Sequence, residues 1–368
     1  MESLKIIAPF ELENGQTLSE IEIAYCVYGK LNKKKSNVIW ICHALTANAD
    51  AADWWEGLVG PDQLFNPDEY FIVCANMLGS CYGTTGPASI NPATERPYQE
   101  DFPKITIRDM VRTHQLLQEH LGISKIKLCI GGSMGGQQVL EWAISHPNNF
   151  EQICVLATNA QHSPWGIAFN ETQRMAIETG FKAGLNQEDA INLGFETARA
   201  IAMLSYRHYD TYGQSQAEDD NTKLEQYKAS SYQRYQGEKL RKRFDVYSYI
   251  RLSQAMDSHH VGRKRDGVEK ALQQISAKTL VIGIQSDILF PIKEQIFLAD
   301  HIPNAQLEII NSFYGHDGFL VEYTLIAERL RNFLEEKENP QSGYYRLNNR
   351  RQDFLSEGRL ALPGMESF

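Results

Sequence analysis

The sequence has no long hydrophobic run. No stretch approaches the ~20 apolar residues that span a bilayer, and the apolar run after Met1 is too short for a secretory signal, so a cytoplasmic location is the expectation. It also lacks a basic excess. Lys and Arg number 36 against 46 Asp and Glu, for a net charge of −10, which argues against nucleic acid or an anionic membrane as the main partner. Cysteine is sparse, with six residues standing singly and no paired C-x-x-C at zinc spacing. Cys42, Cys129 and Cys154 lie in apolar runs and read as small buried hydrophobes, whereas Cys81 sits in a glycine-rich loop. There is no G-x-G-x-x-G after the first strand and no Walker loop. No metal site, internal repeat or low-complexity tract is evident. What remains is a 368-residue chain, 42% hydrophobic and 22% charged, with enough apolar residues for a sizeable core and an added subdomain.

The most informative stretch is Lys127-Leu-Cys-Ile-Gly-Gly-Ser133-Met-Gly-Gly-Gln-Gln-Val-Leu-Glu-Trp142. An apolar strand runs into a glycine-rich turn that opens directly into a helix. Gly131-x-Ser133-x-Gly135 has the spacing of a nucleophile elbow, a strained turn that lifts a serine hydroxyl above a sheet. Flanking glycines are needed where a Cβ would strike the turn or its neighbour, and the helix N-terminus favours negative charge at the serine.

Around the elbow, strand and helix patterns alternate. Strands are expected at 20–28, 37–42, 70–75, 126–130 and 152–157, and a helix at 107–121 with Ile107, Met110, Val111, His114, Leu117 and Leu121 on one face. This alternation predicts a mostly parallel sheet with helices on both faces. Residues 164–262 are helical and strand-poor, an insert expected to act as a lid, with helices at 169–179, 187–206, 223–236 and 245–256. Strands return at 279–284 and 307–311, and a closing helix is expected at 320–336. The expected organisation is a core in two parts, 1–163 and 263–340, interrupted by the insert, with a C-terminal tail at 341–368.

A serine hydroxyl needs a neighbouring base, and the base needs a group that sets its tautomer. After an elbow the partners come in the order Ser, Asp or Glu, His. Asp287 follows the strand at 279–284 and His316 the strand at 307–311, both on loops at strand C-terminal ends, where open α/β sheets place their sites. Singly, each would be an ordinary turn residue; their order behind Ser133 makes a triad the expectation. The oxyanion hole requires two N–H donors. Met134, next after the nucleophile, supplies one, and Leu45 in the loop His43-Ala-Leu-Thr46 is the choice for the other.

Several stretches resemble the homoserine O-acetyltransferase family of α/β-hydrolase-fold acyltransferases. They are Cys42-His-Ala-Leu-Thr46, Trp54-Trp-Glu-Gly-Leu-Val-Gly-Pro61, Asn76-Met-Leu-Gly-Ser-Cys-Tyr-Gly-Thr-Thr-Gly-Pro87, Asn91-Pro-Ala-Thr94, Thr106-Ile-Arg-Asp-Met-Val111, the elbow with Leu140-Glu-Trp142, Phe169-Asn-Glu-Thr-Gln-Arg174, Arg243-Phe-Asp245, Ala255-Met-Asp257 and Tyr314-Gly-His-Asp317. The resemblance implies an α/β-hydrolase fold and ping-pong transfer of acetyl from acetyl-CoA, through Ser133, to the hydroxyl of L-homoserine in methionine biosynthesis. It further implies that no cofactor is permanently bound, that Arg174 holds the substrate carboxylate and Asp317 the ammonium, and that the insert helices build a homodimer. Gln137 stands where many relatives carry Met, and Met175-Ala-Ile-Glu-Thr-Gly-Phe181 lacks the usual continuation, which leaves pocket detail open. The basic turn Gly262-Arg-Lys-Arg265 reads as solvated, with CoA phosphates as its alternative partner. A succinyl donor, a serine acceptor or water as acceptor would use the same triad. A hydrolase-fold interaction protein without catalysis is the reading from another class, and the intact Ser133, Asp287 and His316 speak against it.

Overall fold

The computed structural model describes residues 1–182 and 187–335; the tail expected at 341–368 lies outside these residues. Eight strands form one sheet: Glu2–Ile6 (β1), Ile21–Tyr28 (β2), Val38–Cys42 (β3), Phe71–Ala75 (β4), Ile126–Gly132 (β5), Phe150–Leu156 (β6), Lys278–Ile284 (β7) and Ala305–Ile310 (β8). Their order is β1-β2-β4-β3-β5-β6-β7-β8. From β4 onward every neighbouring pair is parallel, and β1–β2 and β2–β4 are antiparallel. The principal helices are Ile107–His120 (α1), Met134–Ser145 (α2), Pro164–Lys182 (α3), Gln187–Tyr206 (α4), Tyr209–Ser215 (α5), Lys228–Arg241 (α6), Val246–Asp257 (α7), Ile292–His301 (α8) and Tyr323–Leu334 (α9).

β3 shows why these residues make a central strand. All five of its side chains are buried, as a sheet covered on both faces demands. Its alternation then divides them. Val38, Trp40 and Cys42 join a core with residues of α1 and α2, while Ile39 and Ile41 join the opposite core with Trp55, Phe65 and residues of α9. On the first face Trp40 meets Trp142 edge-on at 5.1 Å, and His114 stacks on Trp142 at 5.5 Å. α1 starts where Thr106 accepts the Asp109 N–H while Asp109 accepts the Thr106 N–H in return, a reciprocal cap that satisfies two otherwise orphaned donors.

The sheet differs from expectation at its edges. β1 and α8 were not expected. The closing helix is broken at Glu322 into Gly318–Val321 and α9. Between β6 and β7 the chain forms α3 to α7, with α4 packed against both α3 and α6. α6 begins at Lys228, five residues later than its pattern suggested. α7 begins after Asp245, whose side chain accepts the Ser248 N–H at 2.7 Å. β3, β5, β6, β7 and β8 all end at the same edge of the sheet, and the register sets Cys42 beside Gly131 and Leu156 beside Gly132.

Candidate active site

Ser133 joins β5 to α2 with φ 55° and ψ −126°, a backbone state that costs free energy in a residue bearing a Cβ. The surroundings hold it there. Its N–H donates to the Leu156 carbonyl at 2.9 Å, and its carbonyl accepts from the Thr158 hydroxyl at 2.7 Å and the Gln137 N–H at 3.2 Å. A Cβ on Gly135 would lie 2.0 Å from the Cys42 carbonyl oxygen, and one on Gly131 would lie 2.5 Å from the Gly135 carbonyl. Only glycine at these positions lets the end of β3, the end of β5 and the start of α2 close on one another.

Asp287 and His316 lie in the loops after β7 and β8. One Asp287 oxygen accepts the N–H groups of Leu289 at 2.8 Å and Phe290 at 2.9 Å. The other is 2.7 Å from His316 Nδ1, and His316 Nε2 is 2.9 Å from Ser133 Oγ. A carboxylate facing Nδ1 places the ring proton there and leaves Nε2 to accept from the serine hydroxyl. The imidazole stacks on Phe290 at 5.0 Å and is flanked by Phe319 at 5.2 Å and Tyr206 at 5.8 Å. All three triad side chains are buried. At Gly315 φ is +69°, and a Cβ there would meet the backbone of Arg207 and His208 at 2.9 Å. The segment after α4 therefore closes directly on the histidine loop.

Met134 is the first residue of α2, where an N–H has no intrahelical acceptor. Leu45 is a central residue of the turn closed by the Ala47 N–H on the Ala44 carbonyl at 3.1 Å. Neither N–H donates to a protein group among the described residues. The turn rests on His43, whose Nε2 accepts the Met77 N–H at 3.2 Å, so its Nδ1–H donates to the Ala44 carbonyl at 2.9 Å. Burial pushes the His43 pKa down to about 4, which keeps this ring neutral beneath the turn.

Arg174 and Asp317 sit in different settings. Four of the five N–H donors of Arg174 are engaged within the chain: Nε and one Nη2 hydrogen with Glu171 at 3.0 and 2.6 Å, the other with Asp257 at 2.5 Å, and Nη1 with Ser253 at 3.0 Å. Two-point capture of a carboxylate would require it to release one of these. Asp317 adjoins His316 and pairs with Arg207 at 2.8 Å. Burial raises its pKa, opposed by the charges of Arg207 and Arg199.

Arg199 is the residue that sequence reasoning missed. Its Nε and Nη1 are buried with no hydrogen-bond partner among the described residues, and its guanidinium lies 5.2 Å from the Tyr206 ring that itself flanks His316. Spacing was the available signal, since Arg199 and Tyr206 are seven residues apart and so share one face of α4. The basic turn at 262–265 is consumed internally: Arg263 pairs with Glu13 at 2.8 Å and Arg265 with Glu141 at 2.5 Å, which argues against a phosphate role for these two arginines. Cys81 is half-buried, and burial pushes its thiol up to about 11, so no thiolate forms there at neutral pH. Among the described residues, no group of three or more His, Cys, Asp or Glu side chains is placed to hold a metal ion, and no helix is long and apolar enough to cross a membrane.

Comparison with known proteins agrees with this geometry. The alpha/beta hydrolase fold family matches residues 37–323. The homoserine O-acetyltransferase of Cyclobacterium marinum is 50% identical over 325 residues, 88% of this chain and 92% of that protein. The crystal structure of homoserine O-acetyltransferase from Bacillus anthracis superposes with a TM-score of 0.81 at 25% identity, covering 90% of this chain and 97% of that one. Esterase E22 superposes equally well, with a TM-score of 0.81, covering 90% of this chain and 99% of that one, but at 24% identity it speaks for the fold alone. With an elbow serine, a histidine and an aspartate in contact at the sheet edge and half its residues shared with such a relative, the chain belongs to the homoserine O-acetyltransferase family within the alpha/beta hydrolase fold.

Proposed function

We propose that the protein is a homoserine O-acetyltransferase acting by a ping-pong route through Ser133. The observation that carries this reading is the continuous contact from Ser133 Oγ to His316 Nε2 at 2.9 Å and from His316 Nδ1 to Asp287 at 2.7 Å, in a chain half identical to a curated homoserine O-acetyltransferase. His316 takes the Ser133 proton as Oγ attacks the thioester carbonyl of acetyl-CoA. The Met134 and Leu45 N–H groups receive the charge that develops on the carbonyl oxygen. Collapse of the intermediate releases CoA, whose sulfur takes the proton back from His316. The homoserine hydroxyl then gives its proton to His316 and attacks acetyl-Ser133; as the bond to Oγ breaks, Ser133 takes that proton back from His316 and O-acetylhomoserine leaves. Asp287 holds the ring in the tautomer that both halves need and stabilises its cation.

Homoserine is held by its charged ends. Asp317, beside His316, takes the ammonium. Arg199, with unspent buried donors next to Tyr206, takes the carboxylate; Arg174 could do so only by giving up a bond to its own chain. Residues 164–262 form the lid over this pocket, helped by the close fit of the Arg207–His208 backbone on Gly315. Leu193 and Leu204 are exposed on one face of α4, and they favour a homodimer through the lid helices, since exposed apolar patches mark contact sites. The enzyme requires no permanently bound cofactor, works in the cytoplasm and feeds methionine biosynthesis.

The test follows free thiol and product mass with acetyl-CoA or succinyl-CoA, with homoserine, serine or no acceptor. Acetyl-CoA with homoserine should be the fastest pair. Thiol release at the same rate without any amino acid would make the protein a thioesterase instead.

A further inference from the structure

Arg243 links the lid to the turn that carries Leu45. It stands between α6 and α7, and its Nη1 donates both to the Thr46 carbonyl at 2.7 Å and to the Tyr82 hydroxyl at 2.7 Å. Arg243 has no ion pair among the described residues, so the guanidinium spends its charge on two neutral oxygens. Its backbone is pinned at the end of α6, where its N–H donates to the Leu240 carbonyl at 3.0 Å, and by the two residues that follow. Phe244 is buried against the Tyr82 ring at 5.7 Å, and Asp245 caps α7.

The turn at 44–47 is held from below by the core alone. Met77 donates to His43, and Asn76 accepts the Ala49 N–H at 2.9 Å while donating to the Tyr82 carbonyl at 2.7 Å. Arg243 supplies a hold from the lid side, on the residue directly after Leu45. Leu45 and Thr46 are the two central residues of the turn, whose N–H groups point away from its internal hydrogen bond. The Thr46 carbonyl shares its peptide plane with the Ala47 N–H, which donates to the Ala44 carbonyl at 3.1 Å, and that carbonyl shares its own plane with the Leu45 N–H, so holding Thr46 braces the Leu45 N–H through the hydrogen bond that closes the turn. A donor aimed at a developing oxyanion loses most of its worth when it swings a fraction of an ångström.

We infer that Arg243 is a positioning residue for the second oxyanion donor, so that a fully formed oxyanion hole depends on the docked lid. This rests on the proposed reading of Ser133 as the acyl carrier, with Leu45 as that donor. Docking of the lid and activation of the acyl group thereby become one event, which keeps the reactive hole incomplete whenever the lid is displaced.

The experiment measures the burst of acyl-enzyme formation for wild type, Arg243→Ala and Arg243→Lys, with acetyl-CoA and separately with p-nitrophenyl acetate, which carries no CoA phosphates. Removing an oxyanion donor outright costs roughly 10²–10³ in rate, and a mispositioned one should cost less, about 10- to 100-fold. The expected result is that loss in Arg243→Ala for both acyl donors alike, partial activity in Arg243→Lys, which keeps one donor to Thr46, and partial rescue of Arg243→Ala by millimolar ethylguanidinium. Loss confined to acetyl-CoA would overturn the inference by making Arg243 a phosphate ligand. Unchanged bursts, or a loss that tracks lowered thermal stability and resists rescue, would also overturn it. Ser133→Ala serves as the control for the underlying reading: if it still forms acyl-enzyme, that reading fails independently of Arg243.

Discussion

Gly135 and Cys42 touch backbone to backbone: a methyl group on the glycine would stand 2.0 Å from the Cys42 carbonyl oxygen. This contact seats the nucleophile turn beside the turn bearing Leu45. Gly135→Ala should therefore cost about 3 kcal/mol or more of stability, because backbone has to move and overpacked cores lose that much. Denaturant unfolding measures it. A variant that unfolds at the wild-type midpoint and turns over normally would show that the two turns tolerate separation.

The triad should behave as a unit. Ser133→Ala is expected to abolish acyl-enzyme formation seen by intact-protein mass. Asp287→Asn should lower kcat roughly 10⁴-fold, since an amide in that place favours the wrong histidine tautomer. An Asp287→Asn enzyme within tenfold of wild type would remove Asp287 from the mechanism.

Arg199 and Arg174 should separate cleanly. Arg199→Ala should leave the acetyl-CoA burst intact and reduce kcat/KM for homoserine about 10- to 100-fold, the worth of charge-assisted hydrogen bonds. Arg174→Ala leaves the largely buried Asp257 carboxylate without its cation and should cost about 3 kcal/mol of stability. Steady-state kinetics beside thermal melts decides between them, and the reverse pattern would return the carboxylate role to Arg174.

Three buried histidines predict acid sensitivity. Burial pushes His43 and His162 down to about 4 and His259 to about 3, all below the ordinary 6.5 of the unfolded chain. With depressed pKa values they bind protons only after unfolding, so the stability they contribute is complete above pH 6.5. It is lost as pH falls from there toward 4, by roughly 1.4 kcal/mol per pH unit for each proton taken up. Melting temperatures should therefore drop steeply across this interval. Replacing His162 with Gln should flatten the slope, and an unchanged slope would show that other groups control it.

The lid surface should govern assembly. Leu193 and Leu204 are eleven residues apart on α4, three turns on one face, and both are exposed. The double change Leu193→Asp and Leu204→Asp should convert a dimer to a monomer in light scattering. A wild-type protein that is already monomeric at micromolar concentration would exclude a dimer through this face.

The sheet and the placement of its site were legible because they depend on short-range patterns. Short apolar runs such as 38–42, set between turn signals, fit central strands, Gly131-x-Ser133-x-Gly135 sits between a strand and a helix as an elbow requires, and the expected helix at 107–121 was readable from its apolar face. The Ser, Asp, His order was readable because each residue follows its own strand. β1 escaped notice because it is mostly exposed and its apolar alternation is limited to Leu4 and Ile6. α8 begins on a proline without a side-chain cap and buries few residues, so its pattern is weak.

The sequence by itself determined the parallel sheet, the strained serine turn and the chemical types available at the sheet edge, since each follows from residues a few positions apart. Tertiary structure alone decided which arginine keeps its donors free. Arg174 and Arg199 lie on helices that look alike in sequence, but Asp257 and Glu171 meet the first, while the close of α4 on Gly315 brings Tyr206 and Arg199 to the His316 loop. It also joined Arg243 to Thr46 across nearly two hundred residues. Such pairings depend on how helices pack over the sheet, and no local pattern carries that information.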